Sequence, residues 1–113
     1  MTARLASSIL VGALRKAAEA QGGFAAVLAK GDANAGAVLV VVEERGAEPQ
    51  VMERILQPKG DYAWQSRRIS SGQSDQTLQK FLADRRRYDP DLWILELSVP
   101  SIERFTADLA AFD

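Results

Sequence analysis

The sequence predicts an α+β fold: an N-terminal helix, an antiparallel meander of about four strands, a second helix, a fifth strand and a C-terminal helix. Two observations predict this class. Apolar residues recur at helical spacing near both ends, and short β-forming runs lie between them. The links between the first four runs are short, which favours antiparallel neighbours. The length of 113 residues predicts a single domain over residues 1–113, because a domain usually takes about 100–200 residues.

The first helix is predicted from a stripe of apolar residues at i, i+4, i+7 and i+8 spacing. Gly22-Gly23 is expected to end it. The stripe consists of Leu10, Leu14, Ala17 and Ala18, and Leu5, Ile9 and Ala13 are expected to widen it.

The same segment resembles a secretory signal, because an apolar run follows Arg4. Ser7, Ser8 and Gly12 dilute that run, and it is shorter than the roughly 20 apolar residues that cross a bilayer. We therefore expect a core helix of a cytoplasmic protein that makes no membrane contact.

Four apolar or alternating runs separated by turn residues are predicted to be strands. They are Phe24–Ala29, Ala37–Val42, Val51–Leu56 and Tyr62–Ile69. The first two are predicted to pair as a β-hairpin. The second is expected to be covered on both faces, because its Val/Leu composition is unbroken.

The second half of the chain predicts two further helices around one strand. Ser74 is a fair N-cap for a helix that ends at Tyr88, because Asp89 precedes a proline. Its apolar stripe is narrow and contains Leu78, Phe81, Leu82 and Arg85. The last strand is Leu92–Leu97, and Pro100 opens a helix with Ile102, Phe105, Leu109 and Phe112 on one stripe.

Composition excludes several kinds of chemistry. The net charge is −1, so no whole-chain field predicts a polyanionic or polycationic partner. The sequence contains no cysteine and no histidine. It therefore has no disulfide, no thiolate metal site and neither the commonest metal ligand nor the commonest general base. We expect no catalytic residue, no metal and no cofactor. Catalysis by carboxylate or arginine groups brought together from distant positions is less favoured than a non-catalytic function.

Two polar segments could be ligand sites, and each has a simpler structural interpretation. Residues 31–36 are rich in glycine and could present N–H groups to an anion, yet Asp32 and Asn34 are typical turn residues that bond their own backbone. Asp89-Pro90-Asp91 has a spacing that some Mg²⁺ sites use, but Asp-Pro commonly opens a turn. We favour the turn in both cases.

Trp93 and Glu96 lie in the last strand. Trp93 is flanked by apolar residues and is interpreted as a core residue whose indole N–H bonds to the backbone. Glu96 must be paired or lie at an exposed end, because a buried carboxylate is costly. Arg4 or Arg15 is the expected partner.

One strand face combines aromatic residues with arginine. Tyr62, Trp64, Ser66 and Arg68 should share a face, and such faces can stack single-stranded bases. Arg67 and the helical residues Arg85, Arg86 and Arg87 would add positive charge. The alternative is that the aromatic residues belong to the core and the helical cations complement the helix dipole.

Three segments together resemble a bacterial family known as domain of unknown function 1491. They are Arg4-Leu5 with Ser7 or Ser8 followed by Val11, Ala13, Leu14 and Arg15; Lys30-Gly31-Asp32 running into Ala35-Gly36-Ala37; and Tyr88-Asp89-Pro90-Asp91-Leu92-Trp93-Ile94-Leu95-Glu96. The resemblance covers nearly the whole chain. It implies a cytoplasmic single-domain protein and supplies no activity, cofactor or catalytic residue. Family members often carry a second carboxylate two residues after the glutamate, where this chain has Ser98.

Three functional hypotheses follow. The leading one is a non-catalytic module that binds a protein partner or a second copy of itself, because strands that are apolar on both faces need cover that three helices do not fully supply. The second is a weak single-stranded nucleic-acid binder using Tyr62, Trp64, Arg67, Arg68 and Arg85–Arg87. The third is a small-ligand or enzymatic site around Asp32, Arg15 and Glu96.

Overall fold

The computed structural model describes residues 6–60, 62–68 and 75–109. The predicted order of helix, four strands, helix, strand and helix is confirmed. The elements are α1 (Ser7–Ala20), β1 (Phe24–Ala29), β2 (Val38–Glu44), β3 (Gln50–Leu56), β4 (Tyr62–Arg68), α2 (Asp75–Tyr88), β5 (Trp93–Val99) and α3 (Ile102–Leu109). The predictions made for Arg4, Leu5, Ile69, Ser74 and Phe112 lie outside the described residues.

The five strands form one mixed sheet in the order β1-β5-β2-β3-β4. The antiparallel meander holds for β2, β3 and β4. The predicted hairpin between β1 and β2 is wrong, because β5 lies between them, antiparallel to β1 and parallel to β2. The physical reason is burial: Leu95 and Leu97 are fully buried, and a central position gives such an apolar strand a neighbour on each side and cover on both faces.

The helices cover the two faces of the sheet. On one face, α1 and α3 pack over the strands, so that Leu14 and Phe105 share a core with Leu95. On the other face, Leu82 of α2 packs with Ile94 and other strand residues in a second core. As predicted, Leu78 and Phe81 flank Leu82 on the apolar stripe of α2.

The buried stripe of α1 agrees with the prediction at Leu10, Leu14 and Ala18. The expectation that Ile9 widens this stripe is wrong, because its side chain is 59% exposed, and Val11 is buried instead. Successive helical residues are rotated by about 100°, so Ile9 and Val11 lie on opposite sides of Leu10. The helix ends at Ala20, and Gly22 follows with a φ of +84°, a left-handed conformation that glycine adopts readily.

Candidate functional site

The glycine-rich loop before β2 is a structural turn. The Asp32 carboxylate accepts hydrogen bonds from the backbone N–H groups of Asn34 at 3.1 Å and Ala35 at 2.8 Å. Asp32 thus bonds its own loop, as the turn interpretation predicts. The carbonyls of Ala33 and Asn34 accept the N–H groups of Ser8 and Ser7, the first residues of α1. These helix N–H groups are therefore bonded within the protein rather than open to an anion.

The same loop fixes Trp93 at the start of β5. The indole N–H of Trp93 donates to the Asp32 carbonyl at 2.7 Å, and the Asp32 N–H donates to the Asp91 carbonyl at 3.0 Å. The Ser7 hydroxyl donates to the Gly36 carbonyl at 2.6 Å. Trp93 is 5% exposed and belongs to the core of the α1 face, as predicted. The three segments that carry the family resemblance therefore meet here and hold the fold together.

Arg15 and Glu96 do not come together with Asp32. Arg15 is exposed on α1, which packs on the face formed by Leu95 and Leu97. Glu96 alternates with those two residues, so it lies on the opposite face, where it is exposed. The expected Arg15–Glu96 ion pair is wrong for this reason: the sheet separates the two side chains.

The aromatic side chains of β4 lie on the face that α1 and α3 cover. Trp64 packs against that core, and its indole N–H is buried without a hydrogen-bond partner among the described residues. The Arg54 guanidinium lies 4.4 Å from the centroid of the Tyr62 ring. The backbones of Arg67 and Arg68 pair with Val51 and Gln50 of β3. Because Trp64 is packed inward, it is poorly placed to stack a base.

The arginines at the end of α2 hold parts of the fold. Arg85 forms a two-pronged ion pair with Glu53 of β3, with one N–H···O contact of 2.9 Å. The hydrogen bond to Glu53 raises the pKa of Arg85 above its usual value. Arg86 donates to the carbonyls of Leu92 at 2.9 Å and Lys30 at 3.0 Å. These two cations thus do more than complement the helix dipole.

Replacing Arg85 with alanine is expected to lower the free energy of unfolding by about 1.5–3 kcal/mol, as for a hydrogen bond to a charged group. The substitution leaves the Glu53 carboxylate, whose side chain is 19% exposed, without its guanidinium. Arg87→Ala is the matched control: Arg87 is 69% exposed and contacts Asp84 within α2, so its loss should cost about 0.5 kcal/mol or less. Urea denaturation measures both variants, and equal losses would contradict this role for Arg85.

The described part of the chain contains neither a metal-ligand cluster nor a membrane-spanning helix. Within residues 6–60, 62–68 and 75–109, no three His, Cys, Asp or Glu side chains lie together in a way that could hold a metal ion. In the same ranges, none of the helices has the length and apolar content needed to cross a membrane.

The feature that sequence reasoning missed is the outer edge of β1. In the described sheet β1 is a terminal strand, and only β5 pairs with it. It contains no charged residue and no proline, and three of its large apolar side chains are exposed: Phe24 by 59%, Leu28 by 51% and Val27 by 41%. One signal was available. Half of the strand is alanine, whereas central strands are rich in Val, Ile and Leu.

A hollow lies beside this edge, between β1 and α2, and is called the β1–α2 hollow here. Its volume is about 200 Å³. Leu28 and Ala29 supply the wall on β1, Ile94 the floor on β5, and Leu82 and other α2 residues the opposite wall. The register shifts between Val27 and Ala29, so Leu28 is the extra residue of a β-bulge at the mouth of the hollow.

The described residues form a small α+β domain in which Asp32, Arg85 and Arg86 bond within the fold, and in which the outer edge of the apolar strand β1 has no strand partner. A sequence model of the family described as protein of unknown function DUF1491 matches residues 5–107. The chain therefore belongs to the DUF1491 family. A comparison with curated proteins returns no match.

Solved structures of similar chains have the same fold. One is the crystal structure of a DUF1491 family protein from Caulobacter crescentus CB15, whose sequence is 32% identical to this chain. The match covers 89% of this chain and 94% of that one, with a TM-score of 0.75. An NMR structure of a DUF1491 family protein from the same organism gives 30% identity, 92% and 94% coverage, and a TM-score of 0.76. The solution structure of protein Atu0922 from A. tumefaciens is of a chain with 29% sequence identity. The match covers 91% of this chain and 92% of that one, with a TM-score of 0.75.

Proposed function

We propose that this chain is a non-catalytic interaction module that binds a strand of a protein partner along the outer edge of β1. The observation that carries the proposal is the combination of a sheet edge that has no strand partner within residues 6–60, 62–68 and 75–109 with exposed apolar side chains at Phe24, Val27 and Leu28. An extended segment added to such an edge gains main-chain hydrogen bonds, and its alternate side chains contact the neighbouring surface.

The two edges of the sheet differ in composition. Natural proteins use charged residues, proline or bulges to keep edge strands from pairing with other strands. The other edge strand, β4, ends in Arg67 and Arg68. β1 lacks charge and proline, and its bulge lies at one end, so that Phe24–Val27 keeps regular pairing with β5. This contrast supports β1 as the edge that accepts a partner.

β1 is also held firmly from its inner side. It pairs with β5 from Phe24 to Val27 and again at Ala29, and Ala25 and Ala17 of α1 each pack against the core. A strand that is already ordered loses little conformational freedom when a partner binds, so more of the interaction energy appears as affinity. A cytoplasmic location and the lack of catalysis stay predictions from the sequence.

Titration with a synthetic extended peptide, such as alternating valine and threonine flanked by lysines, tests this proposal by NMR. We expect chemical-shift changes confined to the amides of β1 and β5. Val27→Lys should abolish them, because a lysine on an edge opposes strand addition. Ile9→Lys is the control, since Ile9 is 59% exposed, more than the 41% of Val27, but lies on α1. Shift changes centred on β4, or an unchanged response in Val27→Lys, would contradict the proposal.

A further inference from the structure

The side chains of β1 are arranged in a way that matches a second copy of the same strand. Two large apolar residues, Phe24 and Leu28, lie on either side of Ala26 and are two residues from it. β1 is regular over Phe24–Val27, so in an antiparallel pair centred on Ala26 the residues 25 to 27 pair regularly, and Phe24 of one copy lies beside the bulge at Leu28 of the other. No charged residue lies in β1, so the two copies meet without the like-charge repulsion that destabilises cross-strand pairs.

Phe24 also lies on the correct face of the sheet. It pairs with Ser98 of β5. Ser98 lies four residues after Ile94, so both side chains are on the same face of the sheet, and Ile94 forms the floor of the β1–α2 hollow. Phe24 of one copy and the hollow of the other would therefore be adjacent on one face. Because the arrangement is two-fold symmetric, the contact occurs twice, as in the self-complementary interfaces of homodimers.

The hollow suits a phenyl ring in size and chemistry. It is a surface depression of about 200 Å³ that is open to solvent, and even an enclosed apolar cavity of about 150 Å³ has room for benzene. Leu28, Leu82 and Ile94 supply apolar walls. Arg86 also lines the hollow, and its guanidinium is fixed by two backbone carbonyls. A fixed guanidinium attracts the face of an aromatic ring.

We infer that two copies of this chain pair antiparallel through β1 and that Phe24 of each copy fills the β1–α2 hollow of the other. This inference rests on the proposed function and names the partner. The paired strand is about 20 Å long, so we expect a contact smaller than the roughly 800 Å² per partner of a standard stable interface. The dimer should therefore form and dissociate with protein concentration.

Single-cysteine variants test the register directly, because the natural chain has no cysteine. Opposed residues of an antiparallel pair have Cα atoms about 4.5–5.5 Å apart, within the range that a disulfide bridges. Ala26→Cys should form an intermolecular disulfide under mild oxidation. Ala25→Cys is the matched control, because in this pairing the cysteines at position 25 of the two copies would lie two residues apart along the strands. Cross-linking at 25 but not at 26 would overturn the centred pairing.

Sedimentation equilibrium tests the role of Phe24. Phe24→Ala should raise the dimer dissociation constant about 30-fold or more, because each copy loses an aromatic anchor. Tyr88→Ala removes an aromatic side chain that is 81% exposed on α2 and should leave the constant unchanged.

A parent protein that stays monomeric at several hundred micromolar, or a dimer unaffected by Phe24→Ala, would overturn the inference. Retained peptide binding at β1 in such a monomer would show that only the self-pairing fails. A monomeric protein that also fails to bind the peptide at β1 would contradict the proposed function as well.

Discussion

Replacing Trp93 with alanine is expected to lower the free energy of unfolding by about 3–5 kcal/mol. The indole is 5% exposed and packs in the core under α1 and α3, so truncation leaves a cavity. The substitution also leaves the Asp32 carbonyl without the indole N–H that contacts it at 2.7 Å. Because domains are typically stable by about 5–15 kcal/mol, urea denaturation should show a much lower midpoint or an unfolded variant.

Trp93→Phe separates packing from hydrogen bonding. It keeps an aromatic ring in the core and removes the indole N–H together with a smaller part of the packed ring atoms than alanine does, so its loss should be about 1–3 kcal/mol, close to the cost of an unsatisfied buried group. A Trp93→Ala variant as stable as the parent would contradict the core position of Trp93. Equal losses in the two variants would contradict the dominance of packing.

Replacing Gly31 with alanine has the second large expected effect. A Cβ atom at this position would lie 2.1 Å from the Asp91 carbonyl oxygen and 2.8 Å from the Leu92 carbonyl carbon. Both contacts are with backbone, which cannot rotate away as a side chain can. We expect the loop to separate from the start of β5 and the free energy of unfolding to fall by about 3 kcal/mol, the upper end of the usual overpacking cost.

Gly12→Ala is the matched control for this steric argument. Gly12 lies inside α1, and apart from the adjacent residues and backbone of its own helix a Cβ there would meet no described atom within 4 Å. Alanine is the better helix former, so this variant should gain about 0.5–1 kcal/mol. Chemical denaturation of the two variants should therefore give shifts of opposite sign. A Gly31→Ala protein with parental stability would show that the loop yields without cost.

The elements of this fold could be predicted because their signals are local. The spacing of Leu10, Leu14 and Ala18 identifies α1, and the proline after Asp89 marks the end of α2. The position of β5 between β1 and β2 could not be predicted in the same way. It depends on pairing between Leu95 and the distant residues Val27 and Val40, and periodicity along the chain carries no information on such long-range partners.

The chemistry of the polar loops was also predictable, whereas the open edge was not. Asp32 bonds its own loop, as its residue type and the adjacent glycine indicate. The ion pair of Arg85 with Glu53 joins a helix to a strand 32 residues away, and neither residue reveals its partner. Exposure of Phe24 follows only from the terminal place of β1 in the sheet. From the sequence alone, an apolar run predicts a buried strand. Only the order of the strands shows that β1 lies at an edge and is exposed.

Hydrogen–deuterium exchange at several protein concentrations tests the role of the β1 edge most directly. Amides of residues 24–29 that point outward from the sheet should exchange more slowly as the concentration rises or as the extended peptide is added. Amides of the other edge strand, residues 62–68, serve as the internal control and should not change. Exchange in β1 that is independent of both concentration and peptide would contradict the proposal that this edge binds a partner strand.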